Sequence, residues 1–534
     1  MDSRPEGKVQ PRLAAVVTAV VAASALLALA GNRIEAQGLY YDELFQATAS
    51  FAYIGHPAPM FNVAQIAGLP ALNMHYSGAI KTGLYGLYLR ATGRPFTVVS
   101  WRGLGMLLAS AGLAAFCLIA HRGVPLLVTV LVATLMVTDA NLLLSVRYDL
   151  GSVALSLTLR LVMLGLLIRR GPAGPGVGDA AGIGFLLGAM VFEKLSSVVL
   201  VAPIVAFVTM AGSGSLLGRV RALALGALVG ALPLLWLNAQ SVLAGDGLVS
   251  LGNVPAKVPV PNFGRRYLGL GAGAYVQNFI LGQRPSVPPF YESYALAATL
   301  AATAAVALVL RRASAHRRTA TQVLILLGTW IVIGLQMPLL PSTTMVHHWI
   351  LGTPFQYAAV GMLLGLLASQ AGAGSPVRWH RGLVTVLIAA TLAGRIVSVA
   401  ALERHLADGA ASTAFDPSLT RLGEAAAAEA SDVMFVATTW GVATQIVCLS
   451  NGQANRVVEA FWRYGPDERL PRLLDQYPQK RVFYLVAMNR STNAPNQQRA
   501  IEEDFATSHT LREEPVPTSL RELGSVSVRR YVRR

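Results

Sequence analysis

Apolar runs of spanning or near-spanning length recur along most of the chain, at about 13–30, 103–120, 123–144, 150–168, 180–193, 195–211, 222–240, 294–310, 320–337, 348–369 and 382–401. A bilayer core about 30 Å thick needs roughly 20 apolar residues of helix, so this series commits the chain to repeated crossings. A twelfth, weaker segment lies at 77–93. Of the 534 residues 54% are hydrophobic and only 13% charged, which is more apolar surface than one soluble core could bury. Abundant small residues, including 50 Gly, suit close approach of helices in lipid.

The charge orients the spans. The formal net charge is +16, and the basic excess sits in residues 1–410, with 28 Lys and Arg against 13 Asp and Glu. Residues 411–534 hold 15 against 14. Under the positive-inside rule the N-terminus, Arg122, Arg169-Arg170, Arg219/Arg221, Arg311-Arg312 with Arg317-Arg318, and Arg378/Arg381 are cytoplasmic. Eleven or thirteen crossings satisfy that pattern and twelve does not, so 77–93 reads as an interfacial or re-entrant element unless a further crossing exists. Arg4, Lys8 and Arg12 precede an apolar run long enough to stay as an anchor rather than be cleaved. The expected fold class is an α-helical polytopic membrane protein of about 11–13 transmembrane helices.

Composition changes after residue 410. DVMFVATT at 432–439 and RVFYLVAM at 481–488 read as buried strands, with helical patterns near 416–430, 465–477 and 496–507, so 411–534 is expected to be a small α/β domain on the outer side. Two long outer loops are expected at 31–77 and 242–290, and loops of that length usually carry function. The basic residues are separated by apolar spans, which argues against nucleic acid. Cys117 and Cys448 lie in different parts of the chain, with no metal-ligand spacing around either.

Ionisable groups near a membrane are costly and need partners. Under this topology Asp42, Glu43, His56, His75, Lys81, Asp139, Arg147, Asp149, Glu193, Lys194, His347 and His348 all collect toward the outer face. In GLYYDELFQATASF at 38–51, Asp42 is either the N-cap of a helix starting at Glu43 or a general base within reach of an acceptor hydroxyl. Glu43, about 100° away on the same helix, orients a neighbour or helps bind acceptor. Arg147 and Asp149 form a local ion pair, or Arg147 approaches a phosphate while Asp149 orients it. Lys194, in FEKLSS at 192–197, is a turn residue or the point-charge partner of an anion. His347 and His348 are interfacial residues or donors to a phosphate or sugar hydroxyl; adjacent histidines rarely chelate one metal ion. Arg265 and Arg266 form a solvated turn or a clamp for a leaving phosphate. Arg160 and Arg395, deeper in spans, snorkel or line a cavity.

YYDELFQATASFAYIGHPAP at 40–59, HYSGAIKTGLYGLY at 75–88, RYDLG at 147–151, GAMVFEKLSSVVLVAP at 188–203 and MVHHWILGTPF at 345–355 together resemble the GT-C membrane glycosyltransferases, in the branch of protein O-mannosyltransferases and aminoarabinose transferases. The resemblance covers most of residues 13–401 and fades in 411–534. It implies an enzyme that takes a sugar from a polyprenyl-phosphate donor and passes it, with inversion, to an acceptor hydroxyl on the extracytoplasmic face. It implies Asp42 as the catalytic carboxylate with Glu43 its companion. Lys194, Arg147, Asp149 and the His347-His348 region, with His75, Lys81, Arg265 and Arg266, then form the donor-phosphate and substrate side. A lipid phosphate is an adequate leaving group, so no cofactor is indicated, and a divalent cation is left open. The expected partners are the lipid donor, a glycan, glycolipid or protein acceptor, and the bilayer. The expected location is the plasma (inner) membrane, with the N-terminus inside and residues 411–534 outside. The competing class is a transporter or flippase for a lipid-linked glycan intermediate, which would show inverted repeats with broken helices in matched halves.

Overall fold

The computed structural model describes residues 9–56, 60–252, 274–282, 289–340, 350–370, 377–460, 469–489 and 495–534. Arg265, Arg266, His347 and His348 lie outside the described residues, as does most of the 242–290 loop. The chain is a mainly helical, multi-pass membrane protein with a small C-terminal sheet.

Helix α1 (Val9–Gly31) is the first apolar run and packs against α4 (Val98–Ala120). Between them lie α2 (Tyr41–Ser50), the antiparallel strands β1 (Ala64–Ile66), β2 (Leu69–Met74) and β3 (Ser77–Gly78), and α3 (Ile80–Thr92). At 13 residues α3 rises about 20 Å, too short to cross a bilayer, and it packs on α2 instead. The sheet was not legible beforehand. Its first turn uses Ala67 and Gly68, both at positive φ, as tight hairpins require.

Two runs expected as single spans are bent. Residues 123–144 divide into α5 (Leu126–Val137) and α6 (Ala140–Tyr148) at 68°. Asp139 causes the break: its Oδ1 accepts the amides of Asn141 and Leu142 at 2.9 and 3.1 Å, capping a new helix. Residues 222–240 divide into α10 (Leu216–Gly230) and α11 (Leu232–Leu243) at 66°, where Pro233 in the first turn of α11 cannot continue the preceding ladder. Helices α7 (Val153–Ile168), α8 (Val177–Glu193) and α9 (Val201–Ala211) lie between. Small residues set the closest pairing: Gly184 and Gly188 of α8 meet Gly226 and Gly230 of α10, where added β-carbons would strike the facing backbone. The remaining long apolar helices are Pro289–Leu310, Arg317–Gln336, Phe355–Ala368 and Val377–Ala407.

After Ala407 the chain forms a five-stranded sheet in the order β5-β4-β6-β8-β7. β4 (Val433–Ala437), β5 (Val457–Glu459) and β6 (Val482–Met488) are parallel, and β7 (Leu511–Glu514) and β8 (Val526–Arg533) complete an antiparallel edge. All of β4 is buried, as an apolar run with helices on both faces should be. The expected helices occur at Pro417–Ala428, Arg469–Gln476 and Pro495–Ala506.

Candidate active site

The chain between α1 and α2 is held by the C-terminal unit. The Gly38 and Leu39 amides donate to Phe415 O and Thr420 Oγ1 at 2.7 and 3.0 Å, and Gln445 Nε2 donates to Leu39 O at 2.9 Å. Tyr40 stacks on Phe415 with centroids 4.8 Å apart. Tyr41 lies 4.7 Å from the Trp440 ring, and its hydroxyl donates to Glu459 Oε1 at 2.5 Å. Trp440 and Glu459 sit at the carboxyl edge of parallel strands β4 and β5, the edge where open α/β sheets place their ligands. The start of α2 is thus clamped between two parts of the protein.

Within that turn the two acids separate. Tyr40 is the N-cap, and its amide donates to Glu43 Oε2 at 3.3 Å, so the helix-capping carboxylate is Glu43 rather than Asp42. Glu43 is buried, and Arg102 donates to it through Nε at 2.6 Å and Nη2 at 3.0 Å. Arg102 also donates to the carbonyls of Ile34, Gln37 and Gly38, tying α4 to the whole approach of α2. Asp42 is half-buried, and its Oδ2 accepts the Tyr40 hydroxyl at 3.1 Å. Desolvation pushes its carboxyl up to about 6, against the opposing pull of the Tyr40 hydroxyl and the Lys194 charge. Tyr76, at the β2–β3 turn, is pushed up to about 12 by burial and by the Asp42 charge, so the hairpin shares this environment.

Lys194 occupies the extended break between α8 and the following turn, where it bridges to Ser77 while the Leu195 amide donates to Tyr76 O at 2.9 Å. Gly78 permits this approach, since an added β-carbon there would lie 2.8 Å from Phe192 O. The buried Lys194 ammonium donates to Gly151 O at 2.7 Å and lies within electrostatic reach of Asp42 and Asp149. No carboxylate among the described residues pairs with it directly. Gln46, one turn beyond Asp42, bonds to Ser152 and, at 2.9 Å, to Glu193 Oε1, so α2 is braced against the turns on both sides of Lys194.

The turn beneath is strained. Asp149 and Ser152, flanking Gly151, have φ of 44° and 64°, and in residues other than glycine such conformations persist only where surroundings enforce them. Asp149 forms a buried ion pair with Lys81 rather than with Arg147, and its Oδ1 accepts the Ala154 amide at 2.6 Å. Lys81 also lies 3.6 Å above the Trp101 ring. Arg147 is placed elsewhere, with its guanidinium on the Asn32 carbonyl. His75 Nδ1 is 2.6 Å from Val249 O, which pins the hairpin to the short turn that follows α11. The structure therefore brings Asp42, Lys194, Asp149 and Lys81 into one cluster, with Arg147 outside it. Arg102, Gln46, Tyr40 and Glu193 were not singled out as site residues; Arg102 reads in sequence as an ordinary arginine near a span end. Among the described residues no group of three His, Cys, Asp or Glu side chains comes together to hold a metal ion.

No family model matches the chain, and neither does any curated protein. Among solved structures, ArnT from Cupriavidus metallidurans bound to undecaprenyl phosphate aligns over 96% of this chain and 97% of its own, with TM-score 0.58 and 12% identity. The apo state of ArnT aligns over the same shares with TM-score 0.60 and 11% identity. Arabinofuranosyltransferase AftD from Mycobacteria aligns over 96% of this chain but 39% of its own, with TM-score 0.52 and 16% identity.

Proposed function

From a chain with the fold of the GT-C membrane glycosyltransferases, we propose an integral membrane enzyme that transfers a sugar from a polyprenyl-phosphate donor to an acceptor hydroxyl at the extracytoplasmic face. The observation that carries this reading is a half-buried carboxylate, Asp42, within electrostatic reach of a buried ammonium, Lys194, that has no carboxylate partner of its own among the described residues.

Asp42 takes the acceptor proton as the acceptor oxygen bonds to the anomeric carbon and the bond from that carbon to the phosphate oxygen breaks. The electron pair of that bond leaves with the polyprenyl phosphate, whose growing charge Lys194 offsets in a site of low dielectric. One carboxylate opposite the leaving group suits a single displacement with inversion, and Glu43 is committed to Arg102 rather than placed as a second nucleophile. We assign Glu43 and Lys81 as positioning residues: Glu43 fixes the turn that carries Asp42, and Lys81 fixes Asp149 beneath Lys194. Residues 1–410 form the catalytic part in this reading. Residues 411–534 close over it from outside, and the N-terminus is cytoplasmic.

The test uses purified protein in nanodiscs with a set of polyprenyl-phosphate sugars and a lipid and glycan extract of the source cells. A gain of one sugar mass on an acceptor, with inverted anomeric configuration, is expected. Absence of transfer with every donor, alongside donor movement across the bilayer, would replace this reading with transport.

A further inference from the structure

The buried acids of the membrane-embedded part are nearly all paired with cations. Glu43 holds Arg102, Asp149 holds Lys81, Asp179 holds Arg169 and Arg170, and Asp139 and Glu292 share Arg395. Arg147 and Arg219 give hydrogens to backbone carbonyls. Arg160 does neither. It is 0% exposed, and its Nε, Nη1 and Nη2 have no hydrogen-bond partner among the described residues. A guanidinium cannot shed its proton to escape the cost of burial, so an unpaired one inside a span marks a site that functions with an anion.

Its position says which anion. Arg160 lies two turns into α7, whose first turn follows Gly151, the acceptor for Lys194. Helical side chains lean toward their own N-terminus, which aims Arg160 up toward Lys194. One turn nearer on the same face is Ser156, and in the turn after Lys194 is Ser197; both hydroxyls are buried without partners among the described residues. Lys194 and Arg160 are within electrostatic reach of each other, so two like charges share one buried region.

We propose that Arg160 is the second cation of the donor site, receiving oxygens of the lipid-linked phosphate whose charge Lys194 meets from above. This rests on the transferase reading. A donor phosphodiester carries one negative charge and the polyprenyl phosphate released carries about two near neutral pH. Two cations therefore match the product and the approach to it better than the bound donor, which is where catalysis gains.

The test measures binding of polyprenyl phosphate to lipid-depleted protein by native mass spectrometry, for wild type, Arg160→Met, Arg160→Lys and Asp42→Asn. Arg160→Met should weaken binding about 10–100-fold, and Arg160→Lys should restore part of it. Lipid-depleted Arg160→Met should melt no earlier than wild type, because the charge removed had no partner. Binding within twofold of wild type, or earlier melting of both Arg160 variants, would overturn the proposal. Equal Arg160-dependent binding of inorganic phosphate or phosphatidylglycerol would overturn the lipid-linked assignment. Asp42→Asn should bind normally and fail to transfer; normal transfer by it would defeat the base assignment while leaving the phosphate site standing.

Discussion

Glu43 receives two hydrogens of Arg102, at 2.6 and 3.0 Å, and that pairing distinguishes it from its neighbour Asp42. Both members are fully buried, so neither charge has water to fall back on. Removing one leaves the other uncompensated. Arg102→Met or Glu43→Gln should cost about 3–5 kcal/mol of stability, and the double variant Glu43→Leu/Arg102→Met less than the sum of the two. Thermal unfolding in detergent checks this; additive losses would show that the pair does not act as a unit.

The carboxyl of Asp42, raised to about 6, predicts a pH profile. A general base works as the carboxylate, so kcat/KM should climb about tenfold per pH unit below 6 and level off above it. The Tyr40 hydroxyl stabilises the charged form, so Tyr40→Phe should move the limb to higher pH. A limb that stays in place or moves to lower pH would remove Tyr40 from this role.

Gly78 carries the close approach of the β-hairpin to the Lys194 turn. Its substitution by Ala would set a methyl 2.8 Å from Phe192 O and 3.0 Å from Glu193 Cα, both backbone atoms that cannot swing aside. Gly78→Ala should cost about 1–3 kcal/mol and raise the donor KM as Lys194 loses its Ser77 bridge. Unfolding curves and donor titrations are the measurements, and an unchanged KM would detach the hairpin from donor binding.

The helical architecture was legible because lipid demands long apolar runs: those at 103–120 and 294–310 lie inside observed helices, and that at 320–337 runs one residue past the end of Arg317–Gln336. The breaks at Asp139 and Pro233 were not, since a cap and a first-turn proline leave the hydropathy of a run intact. The strands β4 and β6 were visible as apolar runs, whereas β8 is half-exposed and rich in arginine, and so carries no such signal. Asp42 and Glu43 drew attention as a pair, but which one caps the helix depends on Arg102, 59 residues away. The Lys81–Asp149 pair is likewise a contact across 68 residues, while sequence proximity favoured Arg147.

The most direct measurement is a single-turnover assay of sugar transfer by Asp42→Asn, run beside binding of the polyprenyl-phosphate donor to the same preparation. Asparagine keeps the shape and removes the basicity. Transfer should fall about 10²–10⁴-fold while donor affinity stays near that of wild type. A transfer rate near that of wild type, in protein that folds and binds donor normally, would contradict the assignment of Asp42 as the base.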